Sequence, residues 1–218
     1  MLTYLEKTAS FWQSVKGLLG TRRDKTPIDG LAALETFTAT RAAFIAQKTL
    51  YGYVKTRMGI RYPAMFADAN IIASLNISKM YVFAGSLSDL AIYTVAHALQ
   101  GQAVGNDDRA ALALRIYEAG LRDNAGEAPP QFKADETIEA FKQRLADTDW
   151  VKRALQPENF TESPRALLRW APIVDSLKKF DAEIVENSVK FAWRDVREQF
   201  RKRIDAAAVV ADWSRQAK

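Results

Sequence analysis

One stretch of the chain, residues 64–100, constrains the fold most, because it is apolar on every side. Its formal charges are Asp68, Lys79 and Asp89, and the remaining residues are mainly aliphatic, aromatic or small. A helix that is hydrophobic all round must be surrounded by other parts of the chain. No segment shows the alternation of polar and apolar residues that is typical of half-buried strands. The sequence therefore predicts an all-α protein.

The predicted architecture is a multi-helix bundle with a buried central helical hairpin over residues 31–100 and a long C-terminal helix. We expect the second arm of the hairpin to break once, near residues 76–79 or at Gly85, because an unbroken helix over residues 64–100 would be about 55 Å long. For domain organisation, we expect an amphipathic N-terminal helix over residues 1–20. A charged linker over residues 21–30 follows it, and then a single helical domain over residues 31–218.

The C-terminal segment, residues 173–216, contains neither Pro nor Gly. As one helix it would be about 66 Å long, which exceeds the size of a compact domain of this length. It must therefore bend back onto the core, near residues 187–188, or project from the domain. Its apolar residues form two stripes that are rotated relative to each other. The first contains Ile173, Leu177, Phe180, Ile184 and Phe191, and the second contains Val185, Val189, Val196, Phe200, Ile204, Ala207 and Val210.

Charge and composition indicate the kind of partner. The chain has a formal net charge of +5 and no Cys, so it has no disulfide framework and no thiolate metal site. We expect neither a signal peptide nor a membrane-spanning run, and we expect a cytoplasmic protein that could also associate with a membrane. Basic residues favour an anionic surface or partner, or they serve solubility alone. The candidate contacts are Trp12, Arg41, Lys48, Lys55, Arg194, Arg197, Arg201, Lys202 and Arg203.

A polar stripe interrupts the apolar stretch: Ser86, Asp89, Tyr93 and His97 follow each other at helical spacing and share one face. A Ser-His-Asp triad is excluded, because Ser86 and His97 would lie about 16 Å apart along one helix. In one interpretation Asp89 is a buried structural carboxylate that is satisfied by Tyr93, by Ser hydroxyls, or by Arg57 or Arg61. In the other, the stripe lines a ligand pocket. The candidate pocket residues are Ser86, Asp89, Tyr93, His97, Arg57 and Arg61.

The sequence favours an interaction protein over an enzyme. His97 is the only His in the chain, so we expect no metal site, and we identify no catalytic residues and no cofactor motif. The signatures of nucleic-acid-binding modules are also absent. We predict a non-enzymatic adaptor that docks on an anionic membrane surface or on a partner protein, or that self-associates through its C-terminal helix. The alternative is a helical protein, which could be an enzyme, that binds a small molecule or lipid around Asp89, Tyr93 and His97.

Overall fold

The computed structural model describes residues 25–216, which are helical and contain no strand. The all-α fold is therefore confirmed. The predicted helix over residues 1–20, most of the linker, and Trp12 lie outside the described residues. The helices are α1 (Leu31–Met58), α2 (Tyr62–Met65), α3 (Ala69–Ala98), α4 (Asn106–Asp123), α5 (Ala134–Ala146), α6 (Glu162–Trp170), α7 (Asp175–Lys178), α8 (Ala182–Arg203) and α9 (Ala206–Gln216).

Helix α3 is the centre of the bundle, as its composition predicts. It packs against α1, α4 and α6, and from Met80 to Ala98 nearly every residue is buried. The carboxylate of Asp68 caps the start of α3 by accepting hydrogen bonds from the backbone N–H groups of Asn70 and Ile71. The expected break does not occur, since α3 continues without interruption to Ala98. A helix of this length spans about 45 Å, which the bundle can accommodate.

At Gly85, helix α3 lies unusually close to helix α6. A Cβ atom placed on Gly85 would lie 2.8 Å from the backbone oxygen of Glu162 and 2.9 Å from Cβ of Ala166. Glycine therefore allows this approach because it has no side chain. The approach brings the start of α6 next to the polar stripe of α3, where it determines the environment of Asp89.

The C-terminal segment is broken twice, so its longest helix is α8. The first break comes at residues 179–181 and the second at residues 204–205. At the second break the N–H of Ile28 donates to the oxygen of Arg203 over 2.8 Å, and the N–H of Asp205 donates to the oxygen of Ile28 over 3.0 Å. The segment thus packs onto the core, which is the first of the two alternatives, but its breaks do not lie near residues 187–188.

Candidate docking surface

Asp89 is a structural group at the centre of the fold. Its carboxylate lies 2.8 Å from Nη1 of Arg144. It accepts hydrogen bonds from the N–H groups of Glu162 and Ser163 over 3.1 and 2.8 Å, and from the hydroxyl of Ser163 over 2.6 Å. Asp89 on α3 therefore caps the N-terminus of α6. Burial raises the pKa of Asp89, while the charge of Arg144 and the bonds from Ser163 and Glu162 oppose this.

The contacts of Asp89 extend to two further helices. Arg144 on α5 also donates to the hydroxyl of Ser88 over 2.7 Å and to the oxygen of Asn159 over 2.6 Å. The indole N–H of Trp193 on α8 donates to the hydroxyl of Ser163 over 2.9 Å. A Ser hydroxyl therefore does satisfy Asp89, as we expected. The cation beside it is Arg144, however, so the expected pairing with Arg57 or Arg61 is wrong.

Arg57 instead holds the end of α1 against the start of α8. It forms an ion pair with Asp181, with its Nε 2.6 Å from Oδ2, and the hydroxyl of Tyr53 donates to the same oxygen. Asp181 is 2% exposed. Arg61 is exposed in the turn after α1. Both arginines are thus separated from the polar stripe of α3.

The polar stripe itself divides into two environments. The hydroxyl of Ser86 is buried and has no hydrogen-bond partner among residues 25–216. Tyr93 and His97 lie further along α3, with their rings 4.5 Å apart, and the ring of Tyr93 is 6.0 Å from Phe200 on α8. Burial raises the pKa of Tyr93, whereas burial and the charges of Arg201 and Arg197 lower that of His97. Tyr93 and His97 therefore face the basic end of α8, while Asp89 faces α6.

A cleft of about 320 Å³ lies between α1, α3 and the end of α4. Its lining includes Gln47, Lys79 and Glu127 and contains none of the predicted pocket residues. Within residues 25–216, no cluster of three or more His, Asp or Glu side chains could hold a metal ion. Across the same residues, no helix combines the length and the apolar character that a membrane span requires.

The predicted basic contacts do not form one surface. Arg41 is buried, with its Nε donating to Oε1 of Gln199 over 3.0 Å. Lys48 and Lys55 are exposed on α1. Arg203 lies at the far end of α8, where its Nε donates to the oxygen of Thr26. Arg194, Arg201 and Lys202 are exposed on α8, and Arg197 is half-buried.

A surface that we did not predict stands out instead, because it exposes large apolar side chains. We call it the docking surface. Its members are Ile60 (97% exposed), Val174 (64%), Leu177 (50%), Phe180 (80%), Ile184 (69%) and Phe191 (64%). Large apolar side chains that are grouped on a surface mark interaction sites, whereas scattered ones need no explanation.

Two turns, the short helix α7 with Val174 just before it, and one face of α8 build the docking surface. Ile60 lies in the 3₁₀ turn that follows α1, and the Arg57–Asp181 ion pair holds this turn near the start of α8. Phe180 lies in the turn between α7 and α8. Ile184 and Phe191, seven residues apart on α8, share a face. That face is rotated by roughly 120° from the face that buries Val196, so α8 has one apolar side in the core and one in solvent.

Cations accompany the exposed rings. Nζ of Lys179 lies 5.5 Å from the ring centre of Phe180, and the guanidinium carbon of Arg194 lies 4.5 Å from that of Phe191. Nζ of Lys55 lies 4.6 Å from the ring centre of Tyr62, two residues after Ile60. Cations therefore lie beside the exposed rings of the docking surface, and one of them, Arg194, also pairs with Asp195.

Comparison with known proteins finds no matching family, no similar curated protein and no similar solved structure. The function is therefore argued from this surface. The sequence contained one signal for it, since the first apolar stripe of residues 173–216 includes Leu177, Phe180, Ile184 and Phe191. With two stripes on one helix, only the packing decides which of them is left in solvent.

Proposed function

We propose that this protein is a non-enzymatic helical interaction protein that docks on an anionic membrane surface through the docking surface. The observation that carries the proposal is the exposure of Ile60 and Phe180, 97% and 80%, at the tips of two turns that an ion pair holds together. Side chains that project from turns can enter the interfacial layer of a bilayer without any rearrangement of the helices behind them.

The charges favour a membrane over a wholly apolar partner. Lysine and arginine beside the exposed rings can place their methylene groups along apolar surface and keep their charged ends at the headgroups. Each cation near an anionic leaflet contributes about 1 kcal/mol, and each large apolar side chain that is fully buried contributes roughly 1.5–3 kcal/mol. Several side chains of each kind give reversible binding that weakens as salt increases.

The test is flotation of the purified full-length chain with anionic and with neutral vesicles, at low and at high salt. We expect salt-sensitive flotation with anionic vesicles, and we expect Phe180→Glu to abolish it. Val151→Glu is the matched control, because Val151 is 71% exposed in a different turn, after α5. Lys179→Gln should weaken binding without abolishing it.

A chain that lacks residues 1–20 separates this surface from the predicted N-terminal helix. If the truncated chain still floats and Phe180→Glu abolishes its flotation, the docking surface is the anchor. If truncation abolishes flotation and Phe180→Glu has no effect, the proposal is overturned. The proposal is also overturned if the full-length chain does not float with anionic vesicles at low salt. It is overturned as well if light scattering shows that Phe191→Glu converts a dimer into a monomer, because this face would then bind a second copy of the chain.

A further inference from the structure

The far end of α8 carries a group of polar side chains that the proposed function does not use. Tyr93 and His97 on α3 face Arg197 and Arg201 on α8, at the other end of that helix from Asp181. From Ile184 of the docking surface to Arg201 there are seventeen residues, which correspond to about 25 Å of helix. We propose that Tyr93, His97, Arg197 and Arg201 form a binding site for a phosphate group.

The first argument is that buried polar atoms in this group lack partners. Tyr93 is 1% exposed, and its hydroxyl forms no hydrogen bond of good geometry among residues 25–216, although the side chain of Arg201 lies close enough to oppose the raised pKa of the phenol by hydrogen bonding. Nε of Arg197, which is also buried, has no hydrogen-bond partner among the same residues. Buried polar groups are nearly always paired, and an unpaired one indicates a missing water or ion. A hydroxyl donor and a guanidinium donor side by side would both be satisfied by the oxygens of an anion.

The second argument is that the two arginines differ from the other cations of α8. Most of those cations are paired with a carboxylate of the same helix: Lys190 with Glu186, Arg194 with Asp195, and Lys202 with Glu198. Within residues 25–216, neither Arg197 nor Arg201 forms an ion pair with a carboxylate. Glu158, exposed in the turn before α6, acts on Arg197 electrostatically without forming one. The pair is therefore a local excess of positive charge.

The third argument concerns the scaffold, in which aromatic rings pack around the group. The ring of Tyr93 packs 5.4 Å from Phe160 and 6.0 Å from Phe200. The guanidinium carbon of Arg197 lies 5.6 Å from the ring centre of Phe160, which orients it. Arg201 is exposed, so an anion can enter from solvent. Two guanidinium groups and a phenol suit the several oxygens of a phosphate better than a single carboxylate.

The chain supplies its own probe for the test, because His97 is the only His. Its imidazole proton resonances can be followed by NMR in the tag-free full-length protein. The pKa of His97 is lowered by burial and by the charges of Arg201 and Arg197. An anion between these groups would offset the two charges, so saturating inorganic phosphate or sulfate should raise the pKa of His97. Sodium chloride at matched ionic strength should raise the pKa of His97 less, because it only screens the two charges.

Two variants and a matched control make the test specific. Arg201→Gln should raise the pKa of His97 in the absence of anion, because it removes a neighbouring charge, and it should weaken anion binding by roughly tenfold or more. Arg197→Gln should also weaken binding. Arg194→Gln removes the same charge from the same helix, but from a guanidinium that lies over Phe191, and it should bind the anion as the unaltered chain does. Glu158→Gln should bind at least as tightly as the unaltered chain.

A second experiment decides whether the phosphate group belongs to a free ligand or to a lipid headgroup. Saturable binding of inorganic phosphate supports a free phosphate-bearing ligand. In a Phe180→Glu background, which removes the docking surface, a shift of the His97 resonances on addition of phosphatidic acid vesicles that Arg201→Gln abolishes and Arg194→Gln keeps supports a lipid headgroup. The proposal is overturned if phosphate, sulfate and these vesicles all fail to shift the His97 resonances beyond the sodium chloride control. It is also overturned if the His97 resonances of Arg201→Gln shift with anion as fully as those of the unaltered chain. The anion titration uses no vesicles and the vesicle experiment uses the Phe180→Glu background, so this site and the docking surface can fail separately.

Discussion

Replacing Asp89 with Asn should destabilise the protein strongly, because the change keeps the shape of the side chain and removes its charge. The carboxylate accepts four short contacts, from Arg144, Glu162 and twice from Ser163. An amide has one oxygen to offer these donors and turns an NH₂ group toward the others. It also leaves the side chain of Arg144, which is 16% exposed, without a counter-charge.

The size of the effect follows from the burial of the pair. Removal of one partner from a buried ion pair costs about 3–5 kcal/mol, whereas a whole domain is stable by about 5–15 kcal/mol. The Asp89→Asn variant should therefore fold, with its unfolding free energy reduced by about 3–5 kcal/mol. In a domain of this size, 1 kcal/mol lowers the Tm by about 2–4 °C, so the Tm should fall by roughly 6–20 °C.

Urea denaturation followed by circular dichroism measures the change, and Asp175→Asn is the matched control. Asp175 forms an ion pair of similar length with Lys178, 3.0 Å, but its side chain is 98% exposed. Exposed pairs contribute little, so this variant should unfold at the same urea concentration as the unaltered chain. An Asp89→Asn variant that loses less than about 1 kcal/mol would refute the assignment of Asp89 as a structural group and would favour a pocket there.

Two further predictions concern packing and pH. Gly52→Ala should stabilise the protein by about 0.5–1 kcal/mol, because an added Cβ meets nothing within 4 Å. Gly85→Ala should destabilise it by about 1–3 kcal/mol, because the added Cβ would meet α6. Thermal denaturation of both variants measures the two effects, and equal effects would contradict the close approach at Gly85. Burial raises the pKa of Tyr117 from 10.0 to about 12, so the neutral phenol contributes stability that is fully present below pH 10 and is lost as the pH rises toward 12. Between pH 10 and pH 12, Tyr117→Phe should therefore lose roughly 2–3 kcal/mol less unfolding free energy than the unaltered chain. Urea denaturation at each pH measures this difference, and parallel losses in the two proteins would refute the prediction.

The helical class and the central position of α3 could be predicted from the sequence, because both depend on local composition. An apolar segment such as residues 80–98 has no stable solvent-exposed arrangement as a helix. The partner of Asp89 could not be predicted, since Arg144 lies 55 residues further along the chain. Nothing in the sequence around Arg144 distinguishes it from Lys142, the other cation of α5. Only the approach of α5 and α6 to α3 selects it.

The breaks in the C-terminal segment were missed because no Pro or Gly marks them. Asp181, at the first break, is held by Arg57 and Tyr53 of α1. The second break lies where Ile28 forms backbone hydrogen bonds on either side of Ile204. Contacts with the N-terminal part of the chain therefore interrupt a helix whose own residues would allow it to continue, and such contacts leave no trace in local propensity.

The exposed face of α8 raises the question of whether the fold needs its apolar side chains. The buried face already anchors the helix, through Val189, Trp193, Val196 and Phe200, each at most 2% exposed. Phe180, Ile184 and Phe191 retain most of their accessible surface, so they gain little free energy from burial when the chain folds. Polar replacements at these three positions should therefore leave the unfolding free energy nearly unchanged. If Phe180→Glu unfolds at the same urea concentration as the unaltered chain and yet fails to float with vesicles, the loss belongs to docking and not to folding.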